Sequence, residues 1–143
     1  MVDQEKFMRL ALEESQKALP HCRPNPPVGC VLVKEDKVVA VGHTQKPGDN
    51  HAEAAALARY PGSLEAVSAF VTLEPCSFHG RTPSCALALI ERKVGKVYVS
   101  IKDPDPRNNG KGIALLRQAG IPVVEGVLAE EVESFLAPYL NQS

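Results

Sequence analysis

Four residues with metal-binding or acid–base side chains define the chemistry that this sequence can support. They are His51, Glu53, Cys76 and Cys85. One imidazole and two thiolates can hold a zinc ion and leave its fourth position open for water. A remaining carboxylate can move protons to and from that water. This combination is suited to hydrolysing an amino group from a heterocyclic base.

The spacing of His51 and Glu53 separates their roles. They lie two residues apart, so they share a helical turn but point in different directions. Glu53 is therefore expected to act beside the metal rather than to bind it. As a base it would take a proton from water, and as an acid it would protonate the ring nitrogen and then the departing ammonia.

Helices and strands alternate along the chain. Predicted helices cover residues 3–19, 51–59, 84–92, 112–118 and 129–139, and predicted strands cover 28–34, 37–42, 68–73, 96–101 and 121–124. Asn50 is the predicted cap of the second helix. The apolar runs of the first two strands are typical of strands covered on both faces. The order predicts a three-layer α/β/α domain, in which a five-stranded mixed, largely parallel sheet opens with one antiparallel hairpin.

The four residues of the candidate site lie where strands or loops lead into helices. His51 starts the second helix, Cys76 follows the third strand, and Cys85 lies in the first turn of the third helix. Sites in α/β sheets are usually built at the carboxyl edge, and helix N-termini favour ionised thiolates. We therefore expect the three ligands to converge.

Composition limits the class of protein. The chain has 143 residues and a formal net charge of −1, with 44% hydrophobic residues, which favours a single domain over residues 1–143. It shows neither an apolar span nor a signal-peptide core, so no membrane association and a cytoplasmic location are expected. It has no long basic run and no Trp, so no nucleic-acid partner is expected.

The remaining cysteines bear on the alternative of a purely structural zinc site. Cys30 lies in an apolar run and is expected in the core, whereas Cys22 lies in a proline-rich loop without a predicted place. A structural zinc site normally has four protein ligands. His79 or Cys22 could supply the fourth.

Several segments resemble the pyrimidine deaminase domain of the bifunctional riboflavin-biosynthesis deaminase/reductase. The similarity extends from Phe7 to Leu128 and is carried by residues 24–31, 51–54, 72–85, 103–106, 110–113, 116–121 and 126–128. Eight residues separate Cys76 from Cys85. Cytidine, tRNA-adenosine and polynucleotide deaminases of the same fold typically have two at this place.

The resemblance implies a cytidine-deaminase-like fold with one zinc ion per chain, held by His51, Cys76 and Cys85, and Glu53 as the proton shuttle. It implies a small-molecule substrate, a diaminopyrimidinone with a ribosylamino phosphate, whose ring amine is replaced by oxygen. The family's reductase domain would follow Ser143, so a role in riboflavin biosynthesis implies a separate reductase. Relatives of this fold often associate, so a homo-oligomer is an open expectation.

Six residues are candidates for substrate contact: Asn25, Thr44, Phe78, His79, Arg81 and Asp103. Asn25 could read a ring edge or a ribose hydroxyl, or shape its loop as an Asx turn. Arg81 could clamp a phosphate or be a solvated loop residue. Phe78 could stack on the base or fill space, His79 could line the pocket, and Asp103 could bind the ribose or cap a loop.

Some of these positions depart from the family pattern. Thr44 and Phe78 stand where histidine is common, although His43 adjoins the first, and Arg81 replaces a lysine. Asp105 replaces the amide of the usual Asp-Pro-Asn-Pro. The departures leave the substrate open, and another small nucleobase, nucleoside or pterin-like ring is the alternative.

Two further functions are weighed against deamination of a small molecule. A non-catalytic zinc domain would have no use for Glu53. A polynucleotide editor would need stacking aromatics, yet aromatic residues make up only 5% of the chain.

Overall fold

The structure of the protein is a computed structural model that describes residues 3–77 and 84–140. Its helices are α1 (Gln4–Gln16), α2 (Ala52–Ala58), α3 (Cys85–Glu91), α4 (Lys111–Gln118) and α5 (Ala129–Leu140). Its strands are β1 (Gly29–Lys34), β2 (Lys37–His43), β3 (Ser68–Leu73), β4 (Lys96–Ile101) and β5 (Val123–Glu125). None of the helices in this part of the chain has the length and apolar character that a membrane crossing requires.

The strands form one mixed sheet in the order β2-β1-β3-β4-β5. Strand β1 is antiparallel to both of its neighbours, whereas β3, β4 and β5 are parallel to one another. Strand β2 therefore runs in the same direction as β3, β4 and β5. The predicted mixed sheet with an opening hairpin is confirmed, and its four co-directional strands end at one edge.

Helices cover both faces of the sheet, as alternating side chains along the strands require. One face packs Val31, Phe70 and Tyr98 against α1, and the rings of Phe70 and Tyr98 stack at 4.3 Å. The other face packs residues such as Cys30 and Val71 beneath α2, α3 and α4. This second face carries the helices that begin at the candidate site.

Helix α2 lies unusually close to the sheet because Gly42 has no side chain. A Cβ atom at Gly42 would stand 2.4 Å from both the Ala52 carbonyl oxygen and the Ala56 nitrogen. Real Cβ contacts of that length do not occur, so a larger residue would push the helix away from β2. The first turn of α2, which carries Glu53, is thus fixed against the backbone of β2.

Several predicted boundaries differ from the structure. Helix α1 ends at Gln16 rather than near Leu19, because Pro20 cannot donate a backbone hydrogen bond and restricts the residue before it. The cap of α2 is His51 rather than Asn50. Strand β2 is an edge strand with exposed Lys37 and Val38, so the prediction that both faces are covered was wrong for it.

The last strand also begins later than predicted. The backbone N–H of Ile121 donates to the Leu116 carbonyl oxygen, which keeps Ile121 in the turn that ends α4. Gly120 adopts a φ of +84° in that turn. Strand β5 therefore starts at Val123.

Candidate metal centre

The structure brings His51, Cys76 and Cys85 together on the face of the sheet that carries α2 and α3. Their ligand atoms all lie within 4.8 Å of one another. The Nδ1 atom of His51 lies 3.8 Å from the Cys76 sulfur and 3.4 Å from the Cys85 sulfur. The sequence prediction that these three side chains converge agrees with this geometry.

These separations fit a tetrahedral zinc ion. Zinc–sulfur bonds of about 2.3 Å and zinc–nitrogen bonds of about 2.0–2.1 Å place neighbouring donor atoms roughly 3.5–3.8 Å apart. The two sulfurs and one imidazole also match the donor types that zinc prefers. Within residues 3–77 and 84–140, no fourth metal-binding side chain joins the cluster. The donor set therefore fits a zinc site that has three ligands among the described residues, and His79, the other candidate for a fourth ligand, lies outside them.

Local backbone structure fixes each ligand. His51 is the N-cap residue of α2, and Cys85 is the first residue of α3. Ser84 caps α3, since its Oγ accepts a hydrogen bond from the Leu87 N–H at 3.2 Å and donates to the Cys76 carbonyl oxygen at 2.8 Å. The start of α3 is thereby tied to the loop that carries the other cysteine.

The thiol groups of Cys76 and Cys85 differ in acidity. Hydrogen bonds from Cys85 and the nearby His51 together lower the pKa of Cys76 to about 4, although burial opposes the shift. The Cys76 thiolate in turn raises the pKa of Cys85, and the hydrogen bond with Cys76 raises the pKa of His51. One thiolate beside an electropositive helix start is thus ready to receive a cation.

Glu53 is buried next to this cluster, with 4% of its surface exposed. Burial raises the pKa of its carboxyl group to about 7, and the Cys76 thiolate raises it as well. It does not belong to the group of converging ligand atoms. Its expected place beside the metal rather than on it agrees with this position.

Glu74 is a second buried carboxylate near the candidate site, and no sequence pattern predicts its role. Its Oε1 accepts hydrogen bonds from the backbone N–H groups of Asp103 at 3.1 Å and Gly110 at 3.0 Å. Its Oε2 accepts from the Ile113 N–H at 3.0 Å. Glu74 therefore joins the end of β3 to the loop after β4 and to the first turn of α4.

Close packing strengthens the same junction. A Cβ atom at Gly112 would stand 1.9 Å from the Pro75 carbonyl oxygen. Only glycine lets α4 approach the backbone next to Cys76 this closely. The partners of Glu74 lie 29 to 39 residues further along the chain, so no local sequence pattern indicates them.

The structure places Thr44 and His43 on opposite sides of β2. Thr44 is buried, and its Oγ accepts a hydrogen bond from the Val28 N–H at 2.9 Å and donates to the Pro26 carbonyl oxygen at 3.1 Å. His43 faces α1, where its Nδ1 lies 2.7 Å from Glu14. His43 therefore points away from the place of the histidine that is common at position 44, and a substrate contact by Thr44 remains a prediction.

Two other substrate candidates lie in turns. Asp103 is half-buried, its Oδ1 accepts from the Asp105 N–H at 3.0 Å, and burial raises the pKa of its carboxyl group. Asn25 is half-buried, and its backbone N–H donates to the Cys22 carbonyl oxygen at 2.8 Å. Asp105 pairs with Arg107 at 2.7 Å, which offsets its negative charge. Substrate contacts by Asn25 and Asp103 remain predictions.

The remaining predictions concern cysteines and the loop after Cys76. Cys30 is fully buried in the core, as predicted. Cys22 is also buried and does not belong to the metal-binding group, so it does not supply a fourth ligand. The other three substrate candidates, Phe78, His79 and Arg81, lie outside the described residues.

The geometry predicts that Cys85→Ala releases most of the bound zinc, because two remaining ligands hold the metal weakly. Metal content of the purified variant, measured by atomic emission, checks this. Cys30→Ala is the matched control, since it removes a buried cysteine outside the cluster. Full zinc occupancy in Cys85→Ala would rule out Cys85 as a ligand.

A second prediction concerns Glu74→Gln. Glu74 Oε2 accepts a hydrogen bond from the Ile113 N–H. In the variant an amide NH₂ would face this N–H, so a buried donor would lose its acceptor. The free energy of unfolding should fall by about 1–3 kcal/mol. Urea denaturation measures this change, and Glu65→Gln, at an exposed glutamate, should be neutral. Equal stability of both variants would contradict the role given to Glu74.

Comparison with known proteins agrees with the metal-binding geometry. Residues 1–101 match the model of the cytidine and deoxycytidylate deaminase zinc-binding region. The riboflavin biosynthesis protein RibD of Chlamydia trachomatis is 48% identical over 95% of this chain. The chain spans 36% of that relative's length.

Two solved structures share the fold. A diaminohydroxyphosphoribosylaminopyrimidine deaminase/5-amino-6-(5-phosphoribosylamino)uracil reductase from Thermotoga maritima has a TM-score of 0.88 and 38% identity, covering 96% of this chain and 40% of its own. The Aspergillus oryzae Rib2 deaminase in complex with DARIPP has a TM-score of 0.76 and 26% identity, covering 97% of this chain and 93% of its own.

These matches confirm the predicted cytidine-deaminase-like fold and the resemblance on which it was based. The matched region also contains the three converging ligand side chains. The chain belongs to the zinc-binding family of cytidine and deoxycytidylate deaminases.

Proposed function

We propose that this chain is a zinc-dependent deaminase acting on the diaminopyrimidinone ribosylamino phosphate of riboflavin biosynthesis. The reaction replaces a ring amino group with oxygen, consuming one water and releasing one ammonia. One observation carries the proposal: His51, Cys76 and Cys85 converge beside a buried Glu53, in a chain that is 48% identical to a riboflavin biosynthesis protein.

The side chains divide the work of the reaction between metal binding and proton transfer. His51, Cys76 and Cys85 would hold a zinc ion, which when bound supplies a Lewis acid that makes water nucleophilic near neutral pH. Glu53 takes a proton from the attacking water. It then passes that proton to the ring nitrogen beside the target carbon and assists the departure of ammonia.

The environment of Glu53 suits this repeated transfer. Burial raises the pKa of its carboxyl group, the direction that suits a residue that must both accept and return a proton. Its position on α2 is fixed, because the first turn of that helix packs directly on Gly42. A carboxylate held in a fixed position can accept and return a proton without movement of the surrounding structure.

A different small ring remains the second candidate, and the surroundings of Thr44 favour it. The Thr44 hydroxyl is already hydrogen-bonded to Val28 and Pro26, and His43 points to the opposite face. The imidazole common in the family at this place is therefore not replaced by His43. A substrate that does not need that imidazole, such as another nucleobase, nucleoside or pterin-like ring, is the alternative.

The proposal extends to the step after deamination. We infer that residues 1–143 act as one deaminase domain and that reduction of the product takes place at an active site outside these residues. A cytoplasmic location stays a prediction.

Glu53→Gln should keep its zinc and lose activity by about 10²–10⁴-fold, because the amide cannot carry protons. Zinc content and ammonia release at saturating substrate measure the two effects separately. Glu65→Gln, an exposed glutamate on the chain surface, serves as the control with unchanged rate. A similar rate in Glu53→Gln and wild type would show that the proton carrier is another group.

A substrate panel tests the function itself. Zinc-loaded protein is incubated separately with the riboflavin intermediate, cytidine, cytosine, guanine and single-stranded DNA, and ammonia is measured. We expect turnover of the first compound alone. Turnover of a different small ring selects the second candidate. Absence of any turnover, together with zinc held by four protein groups, selects a structural zinc domain.

A further inference from the structure

A buried amide, Asn108, connects the two halves of the candidate site. Its surface is fully buried. Its Oδ1 accepts a hydrogen bond from the Ser77 N–H at 3.0 Å, and its Nδ2 donates to the Pro75 carbonyl oxygen at 3.2 Å and to Asp103 Oδ2 at 3.3 Å. Both amide hydrogens and the amide oxygen are therefore engaged.

The partners of Asn108 belong to two different parts of the site. Pro75 and Ser77 flank Cys76, so their hydrogen bonds fix the backbone on both sides of a metal-binding thiol. Asp103 lies in the loop after β4 and is a candidate for substrate contact. Glu74 already holds the backbone N–H of Asp103. Asn108 adds a link from the Asp103 carboxylate to residues 75–77, the loop that carries Cys76.

An amide is the group that these three partners require. They present one N–H donor, one carbonyl oxygen and one carboxylate oxygen, and only an amide offers one acceptor and two donors in a plane. An aspartate would place its charge against the Pro75 carbonyl oxygen and Asp103. An apolar residue would leave three polar groups unsatisfied in the interior.

Asp105, which departs from the family pattern, does not supply the amide that contacts Asp103. The family pattern has an amide at that position, whereas Asp105 here turns to Arg107, with Arg107 Nη2 lying 2.7 Å from its Oδ2. The amide that reaches Asp103 comes instead from three residues further along the loop.

We propose that Asn108 is a positioning residue that fixes the Asp103 carboxylate relative to Cys76. The substrate half of this inference rests on the proposed deaminase function, whereas the link between the two loops does not. Loss of the amide would free the Asp103 carboxylate to turn away from the loop of Cys76, although Glu74 still holds the Asp103 backbone. Misplacement by about 1 Å can lower the efficiency of an enzyme by about 100-fold.

The test compares Asn108→Ala and Asn108→Ser with Asn109→Ala, the control at the adjacent exposed asparagine. Each zinc-loaded variant is assayed for kcat and KM with the riboflavin intermediate. We expect kcat/KM to fall about 10–100-fold in both Asn108 variants, with zinc retained and most of the loss in KM. Asn109→Ala should match the wild type.

A second readout does not depend on activity. Each protein is loaded with Co²⁺, and the thiolate-to-cobalt absorption band reports the surroundings of Cys76. Asp103→Ala should shift this band in the wild-type background and leave it unchanged in the Asn108→Ala background, because the Asp103 carboxylate has then already lost its contact with Asn108. This double-mutant cycle isolates the connection through Asn108.

The outcomes separate this inference from the proposed function. Folded Asn108 variants with wild-type KM and an additive cobalt cycle would overturn the positioning role. If Asn108→Ala does not fold, Asn108→Ser decides. If neither folds, the amide is needed for folding and the positioning role is rejected. If wild type does not turn over the riboflavin intermediate, the proposed function fails while the cobalt cycle still decides the role of Asn108.

Discussion

The buried carboxylate of Glu74 holds together the part of the molecule on which the candidate site depends. It collects three backbone N–H groups from two segments further along the chain. Charge-assisted hydrogen bonds of this kind are stronger than neutral ones, and in the interior they must all be made. Because Glu74 directly precedes Pro75 and Cys76, the energy of this junction also holds a metal-binding thiol in place.

The metal centre combines rigid supports of different kinds. His51 and Cys85 stand at the starts of two helices, where backbone N–H groups point toward the ligands. Cys76 lies in a loop, and the Cys85 N–H reaches its sulfur at 3.2 Å. The loop ligand is therefore held by the helix that supplies its neighbour. This arrangement explains how three residues far apart in sequence form one compact donor set.

Sequence patterns predicted the elements and the convergence of His51, Cys76 and Cys85, because each strand, helix start and motif has a local signal. The run at β3 needed only neighbouring residues, and the three converging side chains were also indicated by the resemblance to a family. The roles of Glu74 and Asn108 depend on partners more than 25 residues away, at Asp103 for Glu74 and at Pro75 for Asn108. The hydrogen bond from the Val28 N–H to the Thr44 hydroxyl is likewise visible only in the tertiary structure, and a substrate contact by Thr44 stays a prediction.

Because Gly42 has no side chain, the position of α2 does not depend on the length of the connection that precedes it. The glycine lets α2 rest on the backbone of an edge strand, so the helix is located by the sheet and not by the connection at residues 45–50. Surface connections tolerate insertions when the elements they join are anchored independently. Evolution can therefore lengthen or reshape this connection while His51 and Glu53 keep their positions at the start of α2.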